Sequence, residues 1–147
     1  MTAATDTVSI LMAEHDIEDQ MLIKVALGAS GLSHKLIIVN DGEELIDYLN
    51  QSGKYSGVSL PGIVLLDLNM PRKNGHEALS EIKSNPKLRR IPVIVLTTSD
   101  AEEDIKSTYD MGVSSYICKP VSFDKLVELV NMVGRYWFEL VELPANI

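Results

Sequence analysis

The reading of this chain turns on Ile63-Val64-Leu65-Leu66-Asp67-Leu68-Asn69-Met70-Pro71. An apolar run this short reads as a strand buried on both faces, as in a parallel sheet. It breaks abruptly on a carboxylate. Pro71 cannot donate to a ladder and Asn74-Gly75 is a turn signal, so the strand stops near Asp67. Asp67 is therefore expected at the carboxyl end of a central strand, where open α/β sheets bind their ligands. The plainer alternative is a loop-start residue that caps the next helix.

Working outward, short apolar runs alternate with amphipathic stretches. Strands are expected at residues 8–13, 35–40, 92–97 and 115–118. Helices are expected at 17–29, with Leu22, Val25 and Ala26 on one side, and at 42–50, 75–84 and 101–111. A fifth follows its cap Ser122, with Leu126, Leu129, Val130 and Val133 on one face. Asp16 and Asp19 make a weak variant of a capping box. Gly112 fits a helix C-cap. Residues 51–61 form a Gly/Ser-rich loop longer than most connections. Strand-helix alternation of this kind makes an α/β fold: a five-stranded parallel sheet, order 2-1-3-4-5, with five helices on both faces. Residues 8–134 complete that domain. Residues 135–147 then form an extension in which Tyr136, Trp137 and Phe138 are consecutive.

Composition narrows the function classes. The chain has 147 residues and a formal net charge of −8, with its 13 basic residues scattered. That argues against a nucleic-acid surface, which needs clustered Lys and Arg. Cys118 is the single cysteine, which rules out an intramolecular disulfide; its apolar neighbours suggest a buried, inert thiol. The N-terminus lacks signal-peptide character and no run approaches the ~18 apolar residues of a membrane span, so a cytoplasmic protein is expected.

In the 2-1-3-4-5 order, strand ends bring Glu14 and His15, Asp67, Thr97 and Lys119 to one edge. A carboxylate, a hydroxyl, an ammonium and further acid suit phosphoryl transfer onto Asp67, whose oxygen can act as nucleophile and form an acyl phosphate. A divalent ion between carboxylates would screen their charge. Lys119 would pair with the added charge, and Thr97 would hydrogen-bond a phosphoryl oxygen.

With those residues in view, the chain resembles a response-regulator receiver domain of the single-domain chemotaxis type, with the flavodoxin-like fold. The resemblance rests on Glu14-His15-Asp16, on Leu66-Asp67-Leu68-Asn69-Met70-Pro71 with Asn74-Gly75, on Leu96-Thr97-Thr98, and on Tyr116-Ile117-Cys118-Lys119-Pro120. It implies that Asp67 accepts phosphate from a sensor histidine kinase, and that the Asn69 main-chain carbonyl helps bind magnesium. It also implies that Thr97 and Tyr116 move together on phosphorylation, and that the Lys119–Pro120 bond is cis. Such a chain is a phosphoacceptor, not an enzyme, and signals by docking to a downstream protein. The tail, Trp137-Phe138-Glu139-Leu140-Val141-Glu142-Leu143-Pro144, is similar to the extension of cyanobacterial phytochrome-associated response regulators, which implies a phytochrome as the kinase. An aromatic-aliphatic segment there either covers a core edge or meets a partner. A homodimer through Trp137, Phe138, Leu140 and Val141 is the favoured reading.

One residue departs from the pattern. Receivers carry an acid where His15 stands. Magnesium prefers hard oxygen donors, whereas imidazole suits zinc, nickel or copper. Three readings stay open: Glu14, Asp67 and a water hold magnesium weakly; manganese, zinc or another divalent ion is preferred; or the site is a pseudo-receiver that ignores phosphate. A hydrolase that forms an aspartyl-phosphate needs a second carboxylate two residues after its nucleophile, and Asn69 stands there.

Overall fold

The computed structural model describes residues 8–32 and 34–144. Five parallel strands lie in the order β2-β1-β3-β4-β5. They are β1 (Val8–Ala13), β2 (His34–Val39), β3 (Ile63–Leu66), β4 (Val93–Thr97) and β5 (Ser115–Cys118). Helices α1 (Ile17–Ala29), α2 (Gly42–Leu49), α3 (Gly75–Ser84), α4 (Glu102–Met111) and α5 (Phe123–Gly134) connect and follow them. The expected fold and strand order are those observed. β2 begins one residue earlier than its apolar pattern suggests.

The sheet's two faces follow from alternation along each strand. Ile10 and Met12, Ile63 and Leu65, and Ile94 and Leu96 pack with α1 and α5. Leu11 and Ala13, Val64 and Leu66, and Val93 and Val95 pack with α2 and α3. The central strands are buried along their whole length, which is why they read as unbroken apolar runs.

Side-chain caps start four of the helices. Asp16 caps α1, Asp41 caps α2, Asn74 forms a full capping box with Glu77 at α3, and Ser122 caps α5. Each accepts a backbone N–H that the first turn leaves without a helical partner. Two glycines are required by close approach. A Cβ on Gly42 would lie 2.1 Å from the Lys73 carbonyl oxygen, and one on Gly75 would lie 2.5 Å from the Asp67 carbonyl oxygen.

Three expectations need correction. Helix α1 buries Ile23, Ala26 and Leu27, and leaves Leu22 and Val25 exposed. Apolar residues occur almost all round this helix, so several faces fit the sequence and only the sheet decides between them. Cys118 is exposed, because it ends an edge strand that has a neighbour on one side only.

The third concerns the extension. The chain stays helical after α5 as a wide turn over Arg135–Leu140, closed by Val141 N–H donating to the Tyr136 carbonyl at 3.0 Å. Trp137, Phe138 and Val141 then pack against the α1/α5 side of the core, and Leu143 is buried in it. Three of the four residues expected to face a partner thus cover this chain's own interior. Burying their apolar surface is worth roughly 25 cal/mol per Å². Leu140 does point outward, at 73% exposed.

Candidate functional site

The sheet itself carries the acidic residues to its edge, since the ladder runs on past the strand ends. Glu14 N–H donates to the Val39 carbonyl at 3.0 Å, Asp67 N–H to Ala13 at 3.1 Å, and Lys119 N–H to Thr97 at 2.7 Å. These bonds fix three charged residues at neighbouring positions. Lys119 Nζ then lies 2.5 Å from Glu14 Oε1, 2.8 Å from Asp19 Oδ2 and 3.5 Å from Asp67 Oδ2. One ammonium serves three carboxylates.

Burial sets the electrostatics. Glu14 is 2% exposed and Asp67 7%. Burial, reinforced by the charge of Asp67 and opposed by Lys119, pushes the Glu14 carboxyl up to about 7. For Lys119, burial works to lower the pKa, but the bonds to Asp19 and Glu14 prevail and the ammonium is held above its ordinary range. The lysine stays charged, and the acids around it share too little positive charge.

Thr97 is fully buried at the end of β4. Ser99 N–H reaches its Oγ1 at 3.5 Å, while the Tyr116 hydroxyl donates to the Ser99 carbonyl at 2.8 Å. Thr97 and Tyr116, both expected to respond to phosphate, therefore meet on one residue of the β4–α4 loop. Ser99 also donates through its hydroxyl to Asp104 on α4 at 2.5 Å.

The structure separates the members of Glu14-His15-Asp16. Glu14 turns inward to Lys119, His15 is exposed, and Asp16 is spent on the cap of α1. Neighbouring residues in extended chain point opposite ways, so His15 faces solvent because Glu14 does not. Among the described residues no three His, Cys, Asp or Glu side chains converge as a metal-holding group, and His15 does not complete one. The oxygens expected to hold an ion are those of Glu14, Asp67 and the Asn69 carbonyl. These are hard oxygens, fewer than six, which suits an ion that keeps several waters.

The Lys119–Pro120 peptide is trans, since the described residues contain no cis bond. This corrects the expectation of a cis bond. Trans is the favoured isomer of an X–Pro bond by about 0.5–1 kcal/mol, and in it Lys119 already makes its backbone and ammonium contacts. Sequence reasoning missed Asp19. It lies on α1, one turn from Asp16, and looked like a partner in capping. Its carboxylate goes to Lys119 instead.

A family model for the response regulator receiver domain matches residues 10–131. The chain belongs to the response regulator receiver family. This receiver is 42% identical over 136 residues to response regulator Rcp1 of Synechocystis, covering 92% of each chain. It is 41% identical to the probable methanogenesis regulatory protein FilR2 of Methanothrix harundinacea, covering 91% of the receiver and 86% of FilR2. Among solved structures, it superposes on the phosphorylated cyanobacterial phytochrome response regulator RcpA with a TM-score of 0.90, at 42% identity, covering 94% and 99% of the two chains. The Mn(2+)-bound form of Rcp1 gives a TM-score of 0.88 at 41% identity, covering 93% and 99%. The receiver is thus homologous to phytochrome response regulators. No helix of the described residues is long and apolar enough to cross a membrane.

Proposed function

We propose that Asp67 is the phosphoacceptor of this receiver, taking its phosphoryl group from a phosphohistidine of a sensor kinase. The Lys119 ammonium beside Asp67, in a largely buried acidic corner of the sheet edge, carries this reading. An Asp67 carboxylate oxygen attacks phosphorus, the P–O bond forms as the P–N bond breaks, and the departing imidazole takes a proton. Lys119 pairs with the charge delivered to Asp67. Thr97 offers its hydroxyl to a phosphoryl oxygen, and the Ser99 contacts of Thr97 and Tyr116 convey the change to α4. A divalent cation at Glu14, Asp67 and the Asn69 carbonyl would offset the surplus negative charge. Magnesium fits the oxygen donors, and the Mn(2+)-bound Rcp1 structure supports manganese as an alternative.

The protein acts as an acceptor and not as an enzyme, and passes its signal by docking to another protein. RcpA and Rcp1 support a phytochrome-type kinase as the donor. Apolar residues exposed beside the site, Ile17, Met21 and Val25 on α1 and Val121 and Phe123 near Lys119, support direct protein contact there. Homodimerisation rests on Met132, Tyr136 and Leu140, which remain exposed along α5 and the extension; sedimentation of the wild type and Leu140→Glu tests it.

The deciding experiment is intact mass after incubation with a small phosphodonor, with and without magnesium. A gain of one phosphoryl group, absent in Asp67→Asn, is the expected result. No gain in the wild type identifies a binding module that ignores phosphate.

A further inference from the structure

Three acids are buried among the described residues: Glu14, Asp67 and Asp41. The phosphoryl chemistry uses the first two and has no place for the third. Asp41 is 1% exposed and sits at the N-terminus of α2, where Oδ1 accepts the Glu44 N–H at 2.8 Å. That bond is a helix cap, and an asparagine or serine would make it as well. The other oxygen, Oδ2, is held by Arg72, through Nε at 3.0 Å and through a second guanidinium nitrogen. Burial alone would raise the Asp41 pKa. The Glu44 N–H and the Arg72 guanidinium lower it, so the carboxylate stays ionised.

Arg72 belongs to the loop between Asp67 and α3, the same loop that carries Asn69. Its φ is +64°, in the left-handed region that a long side chain adopts only at a cost. The guanidinium reaches Asp41 from that conformation. A second tie lies beside it: Gly42 N–H donates to the Lys73 carbonyl at 2.9 Å, an approach that leaves no room for a Cβ on Gly42. Gly75 N–H donates to the Leu68 carbonyl at 3.0 Å and closes the loop on itself. The acceptor loop is thus closed at its base and moored at its far side to the start of α2.

We propose that Asp41 is a positioning residue for the acceptor site: through Arg72 it fixes the loop that presents the Asn69 carbonyl. It touches neither the phosphoryl group nor the ion. The tether rests on the reading of Asp67 and Asn69 given above and adds a control point on a different helix. Its charge cannot be replaced by a neutral cap, because the cap satisfies one oxygen and Arg72 the other.

The test uses the whole chain and three variants: Asp41→Asn, Arg72→Gln and the double variant. Asparagine keeps the cap, and glutamine on the exposed Arg72 keeps the backbone cost nearly constant. Mn2+ alone is the probe, its affinity read by electron spin resonance, alongside the rate of phosphoryl uptake from a small donor. Both single variants are expected to weaken Mn2+ about fivefold, within the usual range for coupling through a network. The double variant should be no weaker than either single. Affinities within about twofold of wild type in both singles would overturn the tether, since that is below the same range. So would a loss confined to Asp41→Asn, accompanied by a lower melting temperature, which would mark a general loss of stability at a buried polar residue and no tie to Arg72. Wild-type protein that binds Mn2+ but takes no phosphoryl group would sink the acceptor reading instead, and the Mn2+ affinities would still decide the tether.

Discussion

Lys119 holds its ammonium closer to Asp19 than to Asp67, 2.8 Å against 3.5 Å. The lysine is therefore shared between helix α1 and the acceptor, and it is the only cation that the described structure places against all three acids.

Removing that cation leaves the acids facing one another. Lys119→Met is expected to destabilise the metal-free protein by about 3 kcal/mol, the usual cost of stranding buried charge. It should also abolish phosphoryl uptake at Asp67. Urea denaturation and intact mass check the two effects. Asp19→Asn should do neither to the same degree, because Glu14 and Asp67 keep the lysine.

Glu14 makes stability depend on pH. Its carboxyl is raised from 4.5 to about 7 on folding, so the folded chain binds more protons than the unfolded chain between those values. Stability must then fall as pH rises through that window, by roughly 3 kcal/mol for a shift of this size. Melting curves in chelator from pH 4.5 to 7.5 should show the fall, and Glu14→Gln should flatten it. Asp41 has the opposite sign: its pKa is lowered on folding, so its stabilisation is present above about pH 4 and is lost below.

His15→Asp is expected to tighten magnesium binding and speed phosphorylation. The exposed imidazole next to Glu14 would become a carboxylate, adding negative charge and an oxygen donor at the rim of the site. Calorimetric titration with magnesium measures the first effect. Unchanged affinity would show that residue 15 stands too far outside to matter.

The extension should behave as part of the core. Leu143 is 3% exposed, and Leu143→Ala is expected to cost about 2–4 kcal/mol, as for other large-to-small core changes. Leu140→Ala, at an exposed position, should stay within about 0.5 kcal/mol in the monomer. Chemical denaturation followed by Trp137 fluorescence compares the two.

How much of this was legible in the sequence depended on how local the signal was. The strand ends at Asp67 and Thr97 were readable because β3 and β4 are buried on both faces, which writes an unbroken apolar run ending on a polar residue. Asp19 was not, because a helical acid one turn from a cap looks the same whether it turns back to the cap or across to Lys119. The Asp41–Arg72 pair joins residues 31 apart, and no periodicity marks such a partnership. The face of α1 was misread because Leu22 and Val25 are as apolar as the Ile23 and Leu27 that the sheet selects. The extension's fate was open for a related reason: aromatic residues suit an interface and a core equally, and only the tertiary structure shows that Leu143 closes back over α1 and α5.

Helix α4 differs from the other four in how little it is anchored. Thr108 is its single buried residue, and its first turn gathers Glu102, Glu103 and Asp104 against no side-chain cap. Sliding or tilting it would uncover hardly any grease. On the proposed reading, a rearrangement begun at Ser99 would spend itself in that helix while the sheet keeps its shape, leaving the molecule stiff at the acceptor and yielding at the surface that would report it.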